Sequence, residues 1–133
     1  MEPKYVLIAL LIPSLAFAEG PILKQSACVL TWNVPQLNTD GSNLADLKEF
    51  GIYVGAALNA MTTPVAVVTV AVPDPAAGAT ASWSCAGLPI GQKYAQIDAV
   101  DTAGNRSGRS AVLPFELADD VSPQPPTNLR PGP

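Results

Sequence analysis

The sequence predicts an all-β fold, an antiparallel sandwich of about seven short strands. Three observations lead there. The chain has 133 residues, enough for one domain with a real core and not comfortably two. It is rich in Val, Ala and Thr, poor in aromatics, and punctuated by 14 Pro and 10 Gly, which is a turn-rich and not a helical composition. Short apolar runs recur between turn formers, and no segment carries a convincing amphipathic helical period. A barrel of similar size is the competing architecture.

The chain opens with MEPKYVLIALLIPSLAFAEG. Lys4 supplies a thin positive region, weakened by Glu2, and an apolar run follows over 5–15. Ala16-Phe17-Ala18 is an A-x-A cleavage pattern, so residues 1–18 read as a signal peptide and the mature chain starts at Glu19. The alternative is an uncleaved anchor, but the run is short for spanning a bilayer. No stable membrane insertion is expected after cleavage.

The strands follow in order. Residues 22–25 add a short edge strand. Residues 27–34 (ACVLTWNV) form a strand with Cys28, Leu30 and Trp32 on one face. Residues 35–44 (PQLNTDGSNL) are a loop of turn formers. Residues 48–55 (KEFGIYVG) are a strand with Phe50, Ile52 and Val54 sharing a face. Residues 64–72 (PVAVVTVAV) are a nearly all-apolar strand, closed by the turn at 74–78 (DPAAG). Residues 80–86 (TASWSCA) put Trp83 and Cys85 on one face. Strands at 94–101 and 110–117 complete the set, with Pro114 suited to an edge or a bulge. The domain spans 19–118, and 119–133 is a Pro-rich tail.

Charge and residue usage exclude several functions. The net charge is −4 and no Lys/Arg cluster exists, which argues against nucleic acid and anionic lipid as partners. The chain has no His, the commonest general base and metal ligand. Cys28 and Cys85 cannot complete a zinc site alone and lack CxxC spacing. In an exported chain an even count suggests a disulfide. Asp98 and Asp101 are odd-spaced on one strand and point to opposite faces, so they form no acid–base pair. Asp119 and Asp120 lie in the tail. Lys24, Lys48 and Lys93 stand near turns or strand ends and read as solvated lysines, not as bases for a Ser nucleophile. The stretch NTDGSN (38–43) has oxygen donors near a Gly but lacks the ligand spacing and closing Glu of an EF-hand, so it reads as a turn. No catalytic residue, metal or cofactor is expected.

Three motifs occur in order: VLTWNVP (29–35), GLPIGQKY (87–94) and AVDTAGNRS (99–107). With them the chain resembles a fibronectin type III domain of the kind found in secreted bacterial proteins, over roughly 21–117. The resemblance implies a seven-stranded, immunoglobulin-like sandwich in which Trp32 fills the core. It implies that Leu88 and Tyr94 are pinned at the corner between the fifth and sixth strands. The residues suit a corner: Pro89 fixes φ and Gly91 permits a left-handed turn. The second and fifth strands of the family are antiparallel neighbours, so the resemblance implies a Cys28–Cys85 disulfide inside the sandwich. Two buried free thiols are the alternative.

The resemblance leaves one loop free, 101–110. Its Asp101, Asn105, Arg106 and Arg109 form the candidate contact loop. Animal relatives recognise integrins there through Arg-Gly-Asp, which this chain lacks, so that activity does not carry over. Residues 123–129 (PQPPTNL) resemble the opening of a further such domain. The tail is therefore a linker, a stiff spacer, or a strand lent to a neighbour, and a route to self-association.

The expected function is that of an exported, non-catalytic module for spacing, display or adhesion. It would be secreted, periplasmic or at the cell surface, with a protein or polysaccharide partner. One alternative is an accessory polysaccharide-binding module of a hydrolase array, for which Tyr53 is the main outward-facing ring. The other is a structural subunit of a filament or tail fibre joined through the Pro-rich end.

Overall fold

A computed structural model of the chain describes residues 20–133. The leader, its cleavage site and the proposed mature terminus lie outside the described residues. Seven strands follow in order: β1 (Ile22–Lys24), β2 (Val29–Asn33), β3 (Leu47–Gly55), β4 (Ala66–Thr69), β5 (Thr80–Ser84), β6 (Gly91–Asp101) and β7 (Leu113–Ala118). Each overlaps a segment that alternation and turn residues mark in the sequence, although β7 starts at Leu113 and not at Ser110. The two 3-10 turns, Gln25–Ala27 and Leu58–Ala60, are the described helical elements.

The fold is all-β, with a five-stranded sheet β1-β7-β6-β3-β4 and a two-stranded sheet β2-β5. Their apolar faces meet in a sandwich-like arrangement. The core takes Cys28 and Leu30 from β2's side, Phe50, Ile52 and Val54 from β3, Ala95 from β6, and Phe115 and Leu117 from β7. Trp32 reaches across, its ring 5.3 Å from Phe50 in an edge-on contact at 76°. Edge-on geometry is the favoured one for an aromatic pair. Trp32 and Trp83 both stand on the inner side as alternation requires, yet both are only half-buried. Two strands cannot cover five, so the rings at the border of the smaller sheet keep one side open.

Cys28 and Cys85 form a disulfide, with Cα atoms 5.0 Å apart. The register explains it. Val29 pairs with Ser84, so the next position outward sets Cys28 against Cys85. The Cys85 N–H donates to the Cys28 carbonyl at 2.9 Å.

Two details differ from the expectation. The sheets are not wholly antiparallel, because β1 pairs with β7 in parallel, Ile22 opposite Glu116. The turn at Gln25–Ala27 carries the chain from that edge across to β2 in the other sheet. Tyr94 is half-buried, but it lies opposite Gly55 and Pro114, in phase with Gln96 and Asp98 and away from the core-facing Ala95. The corner itself forms as expected. Leu88 packs on the core and donates to the Cys85 carbonyl, and Gly91 has φ of 121°, a value open to glycine. Pro114 lies before the positions that β1 pairs, with Gly20 packed against its carbonyl.

Candidate functional site

The outer face of the five-stranded sheet carries a buried polar cluster. Alternation along β3 turns Gly51 and Tyr53 away from the core, and Asp98 sits directly opposite Gly51. Asp98 is only 4% exposed. Its carboxylate accepts from the Tyr53 hydroxyl at 2.8 Å and from the Gly51 N–H at 3.1 Å. Arg106 completes the group, its Nη1 lying 3.2 and 3.1 Å from the two carboxylate oxygens. A buried carboxylate needs such partners, since an unpaired one is costly.

The loop between β6 and β7 closes over this face. Arg109 stacks on Tyr53, its guanidinium carbon 3.7 Å from the ring centroid, and donates to the Met61 carbonyl at 2.6 Å. The loop also continues the ladder of β6 in place of a strand. Ser107 and Ser110 donate their N–H groups to the Ala99 and Ile97 carbonyls, at 2.8 Å each. Their hydroxyls accept the N–H groups of Ala99 and Ile97 in return, at 2.8 and 3.0 Å. At the tip, Asp101 accepts from the N–H groups of Ala103 and Asn105 and from the Asn105 amide. These bonds, the Asn105 side chain first, hold the Asp101 carboxyl below its usual pKa.

The candidate contact residues thus divide. Asp101, Asn105 and Arg106 border a cleft of about 560 Å³ at one end of the sandwich. Arg109 does not border it and is committed to Tyr53. The opposite wall comes from the 35–46 loop, including Leu37, Thr39 and Asp46. The Asp46 carbonyl accepts from the Thr102 N–H at 2.9 Å, which ties the two walls together. The NTDGSN stretch is a self-closed turn: the Ser42 N–H and hydroxyl both donate to Asp40, at 2.9 and 2.6 Å. Among the described residues no cluster of three or more Cys, Asp or Glu is placed to hold a metal ion.

One expectation is overturned. Tyr53 does face outward, but it is 5% exposed beneath Arg109 and offers no platform to a sugar ring. Strand alternation tells which side a residue takes and not whether a distant loop covers it. For the same reason alternation does not identify Asp98 and Gly51 as partners. The one available signal was a carboxylate and a tyrosine in neighbouring strands, with an arginine-bearing loop a few residues on.

Burial, and then the bond donated to Asp98, push the Tyr53 phenol above its usual pKa of 10.0. The protonated phenol is therefore favoured in the folded state. Its contribution to stability is complete below the ordinary phenol range and is lost as pH climbs through the raised value. Urea melts taken across that alkaline window should show stability falling, and Tyr53→Phe should flatten the fall. Equal slopes for the two proteins would refute this role.

Comparisons of the chain with protein-family models, curated proteins and solved structures found no match.

Proposed function

We propose that this chain is an exported, non-catalytic module of the fibronectin type III kind that displays a preformed recognition surface outside the cytoplasm. What carries the reading is the pair of loops around the cleft. Each is fastened by its own hydrogen bonds, and Arg106 is oriented there by a buried carboxylate. Loops held on a rigid sheet are the usual place for recognition, because little ordering remains to be done on binding. The β2-β5 pair, the β7-β6-β3-β4 order and the glycine corner support the family reading. The parallel β1 is a departure from the expected antiparallel set. The disulfide suits an oxidising compartment, whether periplasm, cell surface or medium.

The accessory polysaccharide-binding alternative loses its main ring with Tyr53. The partner favoured here is therefore a protein that fits the mixed polar and apolar cleft. A single experiment tests both halves of the reading. Protein recovered from the native host should begin at Glu19, with Cys28 and Cys85 oxidised. It should bind the host's envelope fraction, and Leu37→Asp with Thr39→Arg should abolish that binding. Both positions are exposed, so the fold should survive the change. An intact Met1 would sink the export reading, and undiminished binding by the double variant would sink the cleft.

A further inference from the structure

Arg106 and Arg109 are gathered over one side chain, Tyr53. Arg106 reaches the hydroxyl, its Nη1 3.4 Å from the oxygen. Arg109 lies on the ring face, its guanidinium carbon 3.7 Å from the centroid. Gly51 makes room for the first of these, because a Cβ there would come within 3.5 Å of the Arg106 Nη1. Two like charges held on one residue repel, and the fold relieves only part of that. Arg106 has Asp98 as its counter-charge, with Glu49 a weaker influence. Among the described residues Arg109 has no carboxylate within ion-pair distance. Its partners are a π face and the Met61 carbonyl, which orient a cation and leave its charge uncompensated.

The same nitrogen is in use on both side chains. Arg106 bonds Asp98 and Tyr53 through Nη1, and Arg109 bonds the Met61 carbonyl through Nη1. Among the described residues, Nε and Nη2 of both side chains have no hydrogen-bond partner. Those two nitrogens share one edge of the guanidinium and form the side-on fork that holds a carboxylate by two parallel bonds. The Arg106 side chain is 48% exposed and Arg109 is exposed as well, so solvent reaches both groups. The forks are also placed in advance. Buried Asp98 seats Arg106, and the ladder bonds of Ser107 and Ser110 flank Arg109. Ordering the side chains is a main cost of a surface ion pair, and here the fold has already met it.

We propose that Arg106 and Arg109 form a two-fork site for the carboxylates of an acidic peptide segment on a protein partner. Guanidinium forks also suit an acidic sugar, but sugar rings bind by stacking on an open aromatic face, and Tyr53 is 5% exposed beneath Arg109. The side chain flanking the site is instead Val67, 52% exposed and paired with Gly51. It offers contact to an apolar side chain between two acids. The site lies on the outer sheet face and shares only Arg106 with the border of the cleft, so it does not rest on the cleft reading.

The probe is an acetylated and amidated Glu-Val-Glu peptide, titrated into the isotope-labelled protein and followed by nuclear magnetic resonance. The Nε–H signals of Arg106 and Arg109 should move together and saturate, while that of Arg130 in the tail stays in place. The matching Gln-Val-Gln peptide should move none of them. Arg109→Lys keeps the charge and removes the fork, and should weaken binding about tenfold with the near-ultraviolet circular dichroism unchanged. Leu37→Asp with Thr39→Arg alters the cleft and should leave this binding intact, so the two sites are told apart. Signals that stay still would overturn the proposal. So would signals that move equally with Gln-Val-Gln, or equally with acetate at the same carboxylate concentration. Arg109→Lys binding as tightly as the unaltered protein, or a uronic-acid disaccharide binding more tightly than the peptide, would overturn it too.

Discussion

Replacing Cys28 and Cys85 together by Ala should lower the unfolding free energy by about 4 kcal/mol. The two residues lie 57 positions apart in the chain, so the bridge removes much of the freedom of the unfolded state. The chain-entropy relation for a loop of that length gives about that value. Both residues are essentially inaccessible, at 1% and 0% exposure, and each packs among the core side chains. Alanine leaves small voids there, which adds to the cost and does not offset it. A domain of this size has a margin of about 5–15 kcal/mol, so the double variant should be near the limit of folding. Urea melts of the oxidised protein and the double variant give the difference. Equal midpoints would mean that the bridge constrains nothing. A variant melting without cooperativity would show that the small sheet depends on it, because among the described residues β2 and β5 have only each other as strand partners.

The parts of this fold that depend on local chemistry were legible in the sequence. Cys28, Leu30 and Trp32 declare the inner face of β2 by alternation alone. Gly91 and Gly104 mark turns because both adopt positive φ, at 121° and 90°. The disulfide was expected from the resemblance, and the register of β2 against β5 produces it. What could not be read depends on which distant segment arrives next to a strand. β1 carries no residue that would announce a parallel pairing with β7 over pairing within the smaller sheet. Tyr53 and Trp83 show the same limit from opposite sides. Tyr53 was expected to be open and is covered by the Arg109 loop. Trp83 was expected to be covered and is half-open, because the sheet it belongs to is narrow. Arg106, on sequence alone, reads as a loop residue free to touch a partner. It lines the cleft, but its guanidinium is already bonded to Asp98.

That bond leads to the second large effect. Asp98→Ala should destabilise the protein by about 3 kcal/mol, although no sequence pattern marks Asp98 as structural. Its carboxylate is the shared acceptor of Tyr53, Gly51 and Arg106. Removing it strands the Tyr53 hydroxyl in a buried site. Arg106 loses its counter-charge at the same time, but its side chain is 48% exposed and can turn to water, so it adds little to the cost. Asp98→Asn keeps one acceptor oxygen but turns an amide N–H₂ towards Arg106 or Tyr53, and should cost less, about 1–2 kcal/mol. Gly51→Ala tests the same cluster from the other side. A Cβ there would lie 2.5 Å from an Asp98 oxygen and 3.3 Å from the Tyr53 ring, so the carboxylate would have to leave its bonds. The cluster also makes a prediction about coupling. Asp98→Ala combined with Tyr53→Phe should cost clearly less than the sum of the two single changes, because both remove the same bond. Exchange of the Asp101 and Ser107 amides, which bond the Asn105 and Ala99 carbonyls across the bridge that seats the loop, should quicken in Asp98→Ala. The Asn105 amide, held by Asp101, should quicken less. Stability equal to the unaltered protein would show that the loop is seated by its backbone ladder alone. Strict additivity would show that Tyr53 and Asp98 act independently, and the cleft would then owe the placement of Arg106 to something other than this buried acid.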